Sequence, residues 1–125
     1  MVTTAKVSDL WRENNDAWWG LGDEDTPVTL QMLYDDYFYT SALTLLEDEA
    51  RERMDFNFRL DLKQHRDSLK HKLEIIAAQE PPRLPEEWAI LLQGEGFDIE
   101  DGNHRLVACK ILGIEEVPVI YGTDL

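Results

Sequence analysis

Five consecutive residues in the C-terminal third combine side chains and chain geometry suited to binding a negatively charged group. They are Asp101, Gly102, Asn103, His104 and Arg105. The apolar pattern around them predicts a strand that ends here and a helix that begins at once. The first turn of a helix exposes unpaired N–H groups and the positive end of the helix dipole, which together attract anions. The segment therefore predicts a phosphate-binding turn.

Four of these residues are candidate ligand-binding residues, each for its own chemical reason. Gly102 allows a sharp turn and close approach of a ligand to the backbone. Arg105 carries a planar guanidinium that can hold a phosphate through two hydrogen bonds. His104 adds a hydrogen-bond donor or a catalytic acid or base, and Asn103 lies in the same turn. The set indicates recognition of phosphate by main-chain amides and side chains together.

Two carboxylates at the end of the predicted strand extend the possible chemistry. Glu100 and Asp101 are candidate ligands for Mg²⁺, which usually takes one or two carboxylates together with phosphate oxygens. Asp101 is also, with His104, a candidate catalytic residue. The alternative is a purely structural turn, in which Asp101 caps the helix and Arg105 forms an ion pair with Glu100 or Asp98.

The elements that must position this turn are predicted from residue 54 onward. Apolar and polar residues alternate strictly over 54–62, which is typical of a half-buried strand. Helical spacing then returns and ends near Gln79, before a rigid connector that contains three prolines. Gly113 follows the last helix as a C-cap. After the first strand the predicted order is helix, strand, strand, helix, strand, over residues 69–79, 88–92, 97–100, 106–112 and 117–121.

The first 53 residues predict an acidic helical extension of that core. One helix would begin at Ser8 and run to Trp18, and a third would cover residues 41–54. Between them, Thr26 followed by Pro27 predicts a helix start, since a capping hydroxyl precedes a proline at the first helical position. The expected fold is α+β: one domain over 1–125, with an N-terminal helical extension over 1–53 and a small mixed sheet with packed helices over 54–125.

The stretch 96–121 resembles the ParB/sulfiredoxin superfamily. The matching residues are the Asp-Gly-Asn-His-Arg segment at 101–105, Ala108, Gly113-Ile114 and Val117-Pro118-Val119. The resemblance implies that Gly102, His104 and Arg105 hold nucleotide phosphates, as relatives do with CTP, ATP or ADP, and that Mg²⁺ accompanies the nucleotide. From about residue 54 the predicted order of elements is also similar to that of the family.

Two departures from the family pattern narrow the expected activity. Asn103 stands where sulfiredoxins carry their catalytic cysteine, and Cys109 lies on the apolar side of the helix, so reduction of a sulfinic acid is not expected. No helix-turn-helix domain follows before Leu125, so the DNA binding of partition proteins is not expected either. Binding of a nucleotide or another phosphorylated small molecule remains, with phosphotransfer, nucleotide or phosphate-ester hydrolysis, or a nuclease-like reaction as the enzymatic options.

Charge supplies a second, non-enzymatic hypothesis. The chain has a net charge of −14, and residues 1–50 carry 11 acidic residues against Lys6 and Arg12. Such a chain repels a nucleic-acid backbone, so non-specific DNA binding is not expected. The acidic half could instead bind a basic protein partner or mimic nucleic acid, as a regulator or immunity protein would. The simplest alternative is that the charge serves solubility alone.

Other classes of protein are disfavoured by what the sequence contains. No apolar run approaches the ~18 residues that span a bilayer, and residues 1–10 do not have the pattern of a signal peptide. Cys109 is the single cysteine, so no internal disulfide can form, which fits a reducing compartment. The histidines and this cysteine do not have the spacing of a zinc site, and neither zinc nor haem is expected. We therefore expect a soluble cytoplasmic protein without a membrane partner.

Overall fold

The computed structural model describes residues 2–16, 18–21, 24–39, 42–54 and 56–122. For residues 18–21, 24–27, 42 and 56–58 the description covers the backbone alone. The strands are β1 (Thr3–Lys6), β2 (Trp18–Leu21), β3 (Glu24–Thr29), β4 (Ile90–Leu92), β5 (Ile99–Asp101) and β6 (Glu116–Tyr121). The helices are α1 (Val7–Asn14), α2 (Leu30–Tyr39), α3 (Ala42–Glu52), α4 (Phe56–Ala77) and α5 (Asn103–Ile111), and a 3-10 turn covers Glu86–Trp88.

A four-stranded mixed sheet forms the centre of the molecule, in the order β1-β6-β4-β5. β6 runs antiparallel to β1 and parallel to β4, and β5 returns antiparallel along β4. β2 and β3 form a separate antiparallel pair. The parallel pairing of β4 with β6 is possible because β5 and α5 connect them, which gives the chain the length that a parallel crossover needs.

Helix α5 packs against α1, α2, α4 and β4, and it supplies much of the hydrophobic core. Its residues 106–109 are fully buried, and they meet apolar side chains from the sheet and from the surrounding helices. Representative members of this core are Leu10, Leu33, Ile90, Leu92, Val107 and Val119. Because α5 lies in the middle of the helical layer, its first turn is held firmly in place.

This architecture confirms the predicted α+β class, with a mixed sheet and helices packed against it. The predicted strands at 88–92, 97–100 and 117–121 correspond to β4, β5 and β6. Gly113 follows α5 with a φ of 72°, as a helix-ending glycine should. No described helix is both long enough and apolar enough to cross a bilayer.

The predicted strand over 54–62 is wrong, because residues 56–77 form the single long helix α4. The buried positions of α4 are Leu62, His65, Leu69 and Ile76, which recur at helical spacing. Leu60 and Leu62 would share one face of a strand, yet Leu60 is 53% exposed and Leu62 is fully buried. The alternation of apolar and polar residues over 54–62 arose by chance. The apolar face of α4 was not recognised because its second buried residue is a histidine.

The first 53 residues also differ from the predicted helical extension. β1 was not expected, and it forms an edge strand of the central sheet by pairing with β6. The first helix ends at Asn14 rather than continuing to Trp18. The helix expected at Thr26-Pro27 begins at Leu30 instead, since the Thr29 hydroxyl accepts a hydrogen bond from the Met32 amide at 3.1 Å and caps it. Domain boundaries at residue 53 remain a prediction.

Candidate functional site

The predicted turn joins β5 to α5 directly, with Gly102 between them. Gly102 has a φ of 118°, which side chains of L-residues disfavour. A Cβ at this position would lie 3.1 Å from Cγ1 of Ile90 and 3.3 Å from its Cα. The glycine is therefore required so that the turn can pack against β4, in addition to any closeness to a ligand.

Asn14, at the end of α1, holds the strand that leads into this turn. Its Oδ1 accepts a hydrogen bond from the Ile99 amide at 3.1 Å, and its Nδ2 donates to the carbonyl oxygens of Phe97 at 2.8 Å and Leu10 at 2.7 Å. Asn14 is 5% exposed, so these bonds replace water and fix β5 relative to α1. Nothing in the sequence pattern indicated this role.

The first turn of α5 begins directly after Gly102. The first hydrogen bond closed within the helix runs from the Leu106 amide to the Gly102 carbonyl oxygen at 3.0 Å. The amides of Asn103 and Arg105 precede it, and helix geometry gives them no acceptor inside the helix. Gly102 has no side chain to cap them. The turn thus offers N–H donors at the positive end of the helix dipole.

Arg105 lies along an aromatic ring rather than against a carboxylate. Its guanidinium carbon is 5.5 Å from the centre of the Trp88 ring, and its Nη1 donates to the Ala89 carbonyl oxygen at 3.3 Å. Its Nε is buried and has no hydrogen-bond partner in the described structure. The alternative ion pairs with Glu100 or Asp98 do not form among the described residues.

Lys72 of α4 brings a second positive charge to the same ring. Its Nζ lies 5.0 Å from the centre of the Trp88 ring, which therefore contacts two cations. Among the described residues, neither Lys72 nor Arg105 forms an ion pair. We call Lys72, Trp88 and Arg105 the cationic cluster. In a chain of net charge −14, this cluster places two positive charges near the start of α5.

His104 turns toward the protein interior and contacts a second histidine. Its Nε2 lies 3.1 Å from Nδ1 of His65, which is fully buried on α4. Burial lowers the pKa of His65 to about 4. Burial, followed by electrostatic interaction with His65 and with Lys72, lowers the pKa of His104 to about 3. Both rings are neutral at neutral pH, so His104 can offer an N–H or a lone pair but no positive charge.

The predicted metal ligands, Glu100 and Asp101, are both exposed at the end of β5. Successive residues of a strand point to opposite faces, so the two carboxylates diverge. At most one of them suits an ion at the α5 start, and Asp101, which directly precedes Gly102, is the better placed. The described residues contain no group of three metal-ligating side chains. A phosphate-bound Mg²⁺ needs fewer protein ligands than that.

The sequence therefore located the turn but missed the residues that surround it. Lys72, Trp88 and His65 come from elements at least 15 residues away in the chain, and no spacing rule connects them with α5. Cys109 is fully buried, and burial raises its thiol pKa to about 12, which fits the expected role of a core residue.

Comparisons with protein-family models, with curated proteins and with solved structures found no match to this chain. The class that the structure defines is a small α+β fold with a strand-to-helix turn beside a cationic cluster. The resemblance to the ParB/sulfiredoxin superfamily remains a prediction that rests on the motif residues.

Proposed function

We propose that the start of α5 binds the phosphate groups of a nucleotide or of another phosphorylated small molecule. The amides of Asn103 and Arg105 would hold phosphate oxygens, and the guanidinium of Arg105 would turn from Trp88 toward the ligand. The single observation that carries this proposal is the cationic cluster, in which two cations lie near a helix start that has no side-chain cap, and neither pairs with a carboxylate of a described residue. Anions favour that combination of charge and amide donors.

The negative charge of the chain is compatible with such a site. Exposed charges further away than about 8–10 Å are largely screened at physiological ionic strength. The nearest acids in the chain, Glu100 and Asp101, would repel a bare phosphate, and a Mg²⁺ ion carried by the ligand would offset that repulsion. We therefore expect binding to be tighter with Mg²⁺ than without it.

The reaction that fits the site is phosphoryl transfer or phosphate-ester hydrolysis, in which catalysis is mainly positioning and stabilisation of charge. Arg105 and Lys72 supply the positive charge. His104 would act as a neutral hydrogen-bonding group, because its low pKa makes it a poor general acid at neutral pH. Asp101 remains the candidate base at the exposed side of the turn.

Calorimetric titration of the full chain with ATP, ADP, AMP and pyrophosphate, with and without Mg²⁺, tests the proposal. Arg105→Ala should weaken binding at least tenfold, because a charge-assisted contact to phosphate is lost. Arg83→Ala is the matched control, since Arg83 is exposed and donates a long hydrogen bond to the Glu80 carbonyl oxygen at 3.5 Å. No binding of any of these compounds, or binding undiminished by Arg105→Ala, would reject the proposal.

A second candidate function is recognition of a basic protein partner through the acidic half of the chain. The observation that favours it is a row of exposed rings at the end of α2, where Tyr37, Phe38 and Tyr39 are 52%, 47% and 74% exposed. Aromatic side chains are favoured anchors in interfaces. A partner captured at low salt should be lost at high salt and also in a Tyr37→Ser/Tyr39→Ser variant. Capture that survives both changes would reject this alternative.

A further inference from the structure

A groove lined by residues of α2 and α4 combines an apolar wall with one free cation. Its volume is about 350 Å³, and the residues that line it are Asp36, Tyr37, Arg66, Leu69, Lys70 and Leu73. We propose that this groove binds a small monocarboxylate, whose apolar body packs on the wall and whose carboxylate pairs with Lys70. None of these six residues belongs to the 101–105 turn or to the cationic cluster, so the proposal does not depend on the proposed function.

The apolar wall is formed by Tyr37, Leu69 and Leu73. Leu69 is buried in the hydrophobic core, and Leu73 packs against that core while remaining partly accessible. The Tyr37 ring is 52% exposed and meets the Phe38 ring edge-on, with 5.0 Å between the ring centres. Pockets for small molecules have volumes of about 300–1,000 Å³ and a mostly hydrophobic lining. At the lower end of that range, this groove suits a single aromatic ring or a short aliphatic chain.

The charged residues of the groove favour a ligand with one negative charge. Arg66 already pairs with Asp36 at 3.1 Å and with Glu47 of α3. Lys70 is exposed and forms no ion pair with any residue that the structure describes. Lys70 is therefore the cation left to attract a ligand. A second negative charge on the ligand would be repelled by Asp36 and Glu47, so this groove selects against the polyanions proposed for the start of α5.

The body and the charge of the ligand have different effects on binding. An exposed ion pair contributes little by itself, so a carboxylate without an apolar body should not be retained. Each CH₂ group that is removed from water adds to the affinity. The wall of the groove therefore supplies most of the affinity, and Lys70 supplies the preference for an anion over a neutral molecule of the same shape.

Titration of the full chain with octanoate, octanamide and acetate separates these two contributions. Octanamide has the apolar body without the charge, and acetate has the charge without the body. The methyl ¹H–¹³C NMR shifts of Leu69 and Leu73 report on the groove itself. Octanoate should produce saturable shifts, octanamide should bind about fivefold more weakly, and acetate should cause no saturable shift.

Lys70→Gln should lower the affinity for octanoate to that for octanamide and leave the affinity for octanamide unchanged. Lys63→Gln is the matched control, because Lys63 is an exposed cation of the same helix that pairs with Asp67 and lines a different cleft. This control should keep the fivefold preference. Tyr37→Ala removes part of the wall at an exposed position and should weaken both ligands alike, about threefold.

Three results would overturn the proposal. They are the absence of saturable shifts at Leu69 and Leu73, equal affinities of the wild type for octanoate and octanamide, and an equal loss of preference in Lys63→Gln and Lys70→Gln. The first two are measured on the wild type and do not depend on the folding of any variant. Failure of pyrophosphate to bind would reject the proposed function and leave the octanoate result standing.

Discussion

Two helices in this protein begin directly after a strand of the central sheet, and neither has a side-chain cap. α1 follows β1 at Lys6, and α5 follows β5 at Gly102. A cation also contacts a tryptophan near each helix: Lys110 lies 5.7 Å from the centre of the Trp11 ring, much as Lys72 lies 5.0 Å from that of Trp88. The two helix starts thus have similar local structure and differ in the groups that surround the first turn.

At the start of α1 the first amide already has a hydrogen-bond partner, and acidic side chains lie beside it. The Val7 amide donates to the Glu115 carbonyl oxygen at 2.8 Å, so the first helical N–H is already used. Glu115 and Glu116 line the cleft of about 430 Å³ beside it, together with Lys6 and Lys110. Acidic side chains and an occupied amide make this helix start a poor anion site.

At the start of α5 two cations lie near the first turn, although the acids Glu100 and Asp101 directly precede it. The side chains that converge there are Lys72, Arg105 and the neutral His104, and the two cations have no described carboxylate partner. Elsewhere in the fold a comparable cation is neutralised, since Arg66 pairs with Asp36 and Glu47. A helix N-terminus therefore becomes a candidate site only through the side chains that other elements bring to it.

Acidification should loosen the α5 start much more than the α1 start. The pKa values of His65 and His104 in the folded state lie below the usual 6.5, so the unfolded chain binds more protons as pH falls. Stability conferred by the neutral pair is therefore present above about pH 6.5 and is lost progressively toward pH 4. Between pH 7.5 and 5.0 we expect a loss of roughly 2 kcal/mol for each histidine.

Urea unfolding at the two pH values measures this loss. The groups that face the pair include Lys72, which stays positively charged throughout this range. The variant His65→Phe should lose about half of the pH dependence, while Gln64→Ala, an exposed neighbour on α4, should keep all of it. Equal stability at pH 7.5 and 5.0 in the wild type would show that the histidines are not held in their neutral form.

Substitution of the glycine between β5 and α5 should have the next largest effect. Gly102→Ala combines an unfavourable φ with contacts to Ile90 that are shorter than van der Waals distance, and should cost about 3 kcal/mol. Gly113→Ala is the matched control, because Gly113 also has a positive φ but nothing lies within 4 Å of an added Cβ. That change should cost about 1 kcal/mol. Equal costs in urea unfolding would mean that the packing of Gly102 on β4 is unimportant.

Asn14 connects the two regions, and its removal should affect the α5 start from a distance. Asn14→Ala leaves the Ile99 amide and the Phe97 carbonyl oxygen without a partner, and should cost about 2 kcal/mol. Hydrogen exchange of the Ile99 amide should become faster at the same time. Unchanged exchange at Ile99 would contradict the view that α1 holds β5 in place.

The smallest expected effect is the loss of pyrophosphate affinity when the lysine of either tryptophan–lysine contact is removed. Lys72→Ala should weaken pyrophosphate binding about tenfold, because one of the two cations at the α5 start is lost. Lys110→Ala removes the corresponding contact near α1 and should change the affinity less than about twofold. Calorimetry on both variants makes the comparison, and equal losses would show that only the overall charge of the chain matters.

The region around α5 could be predicted from the sequence because its signals are local. A glycine at each end, a buried apolar stripe over 106–109 and short apolar runs define α5 and the strands next to it. The strand predicted over 54–62 was wrong for the opposite reason. Their alternation covers too few residues to separate a strand from a helix, and the face of α4 is set by its packing on α5, which the sequence does not display.

Only the part of the candidate site that is contiguous in sequence could be predicted, because sequence patterns report local structure and not tertiary packing. The turn at 101–105 is contiguous, so its glycine, amides and arginine can be read together. Lys72, Trp88 and His65 reach the turn through tertiary packing, and each has an unremarkable local pattern. The pairing of β1 with β6 was missed likewise, since it joins the two ends of the chain.

The most direct test of the account is to map a bound anion onto the two helix starts. Backbone amide shifts of the ¹⁵N-labelled full chain should be followed as pyrophosphate is added in the presence of Mg²⁺. We expect saturable shifts at Asn103, His104 and Arg105, and little change at Val7 and Ser8. Shifts that centre on the start of α1, or that spread without saturation over the whole chain, would contradict an anion site at the start of α5.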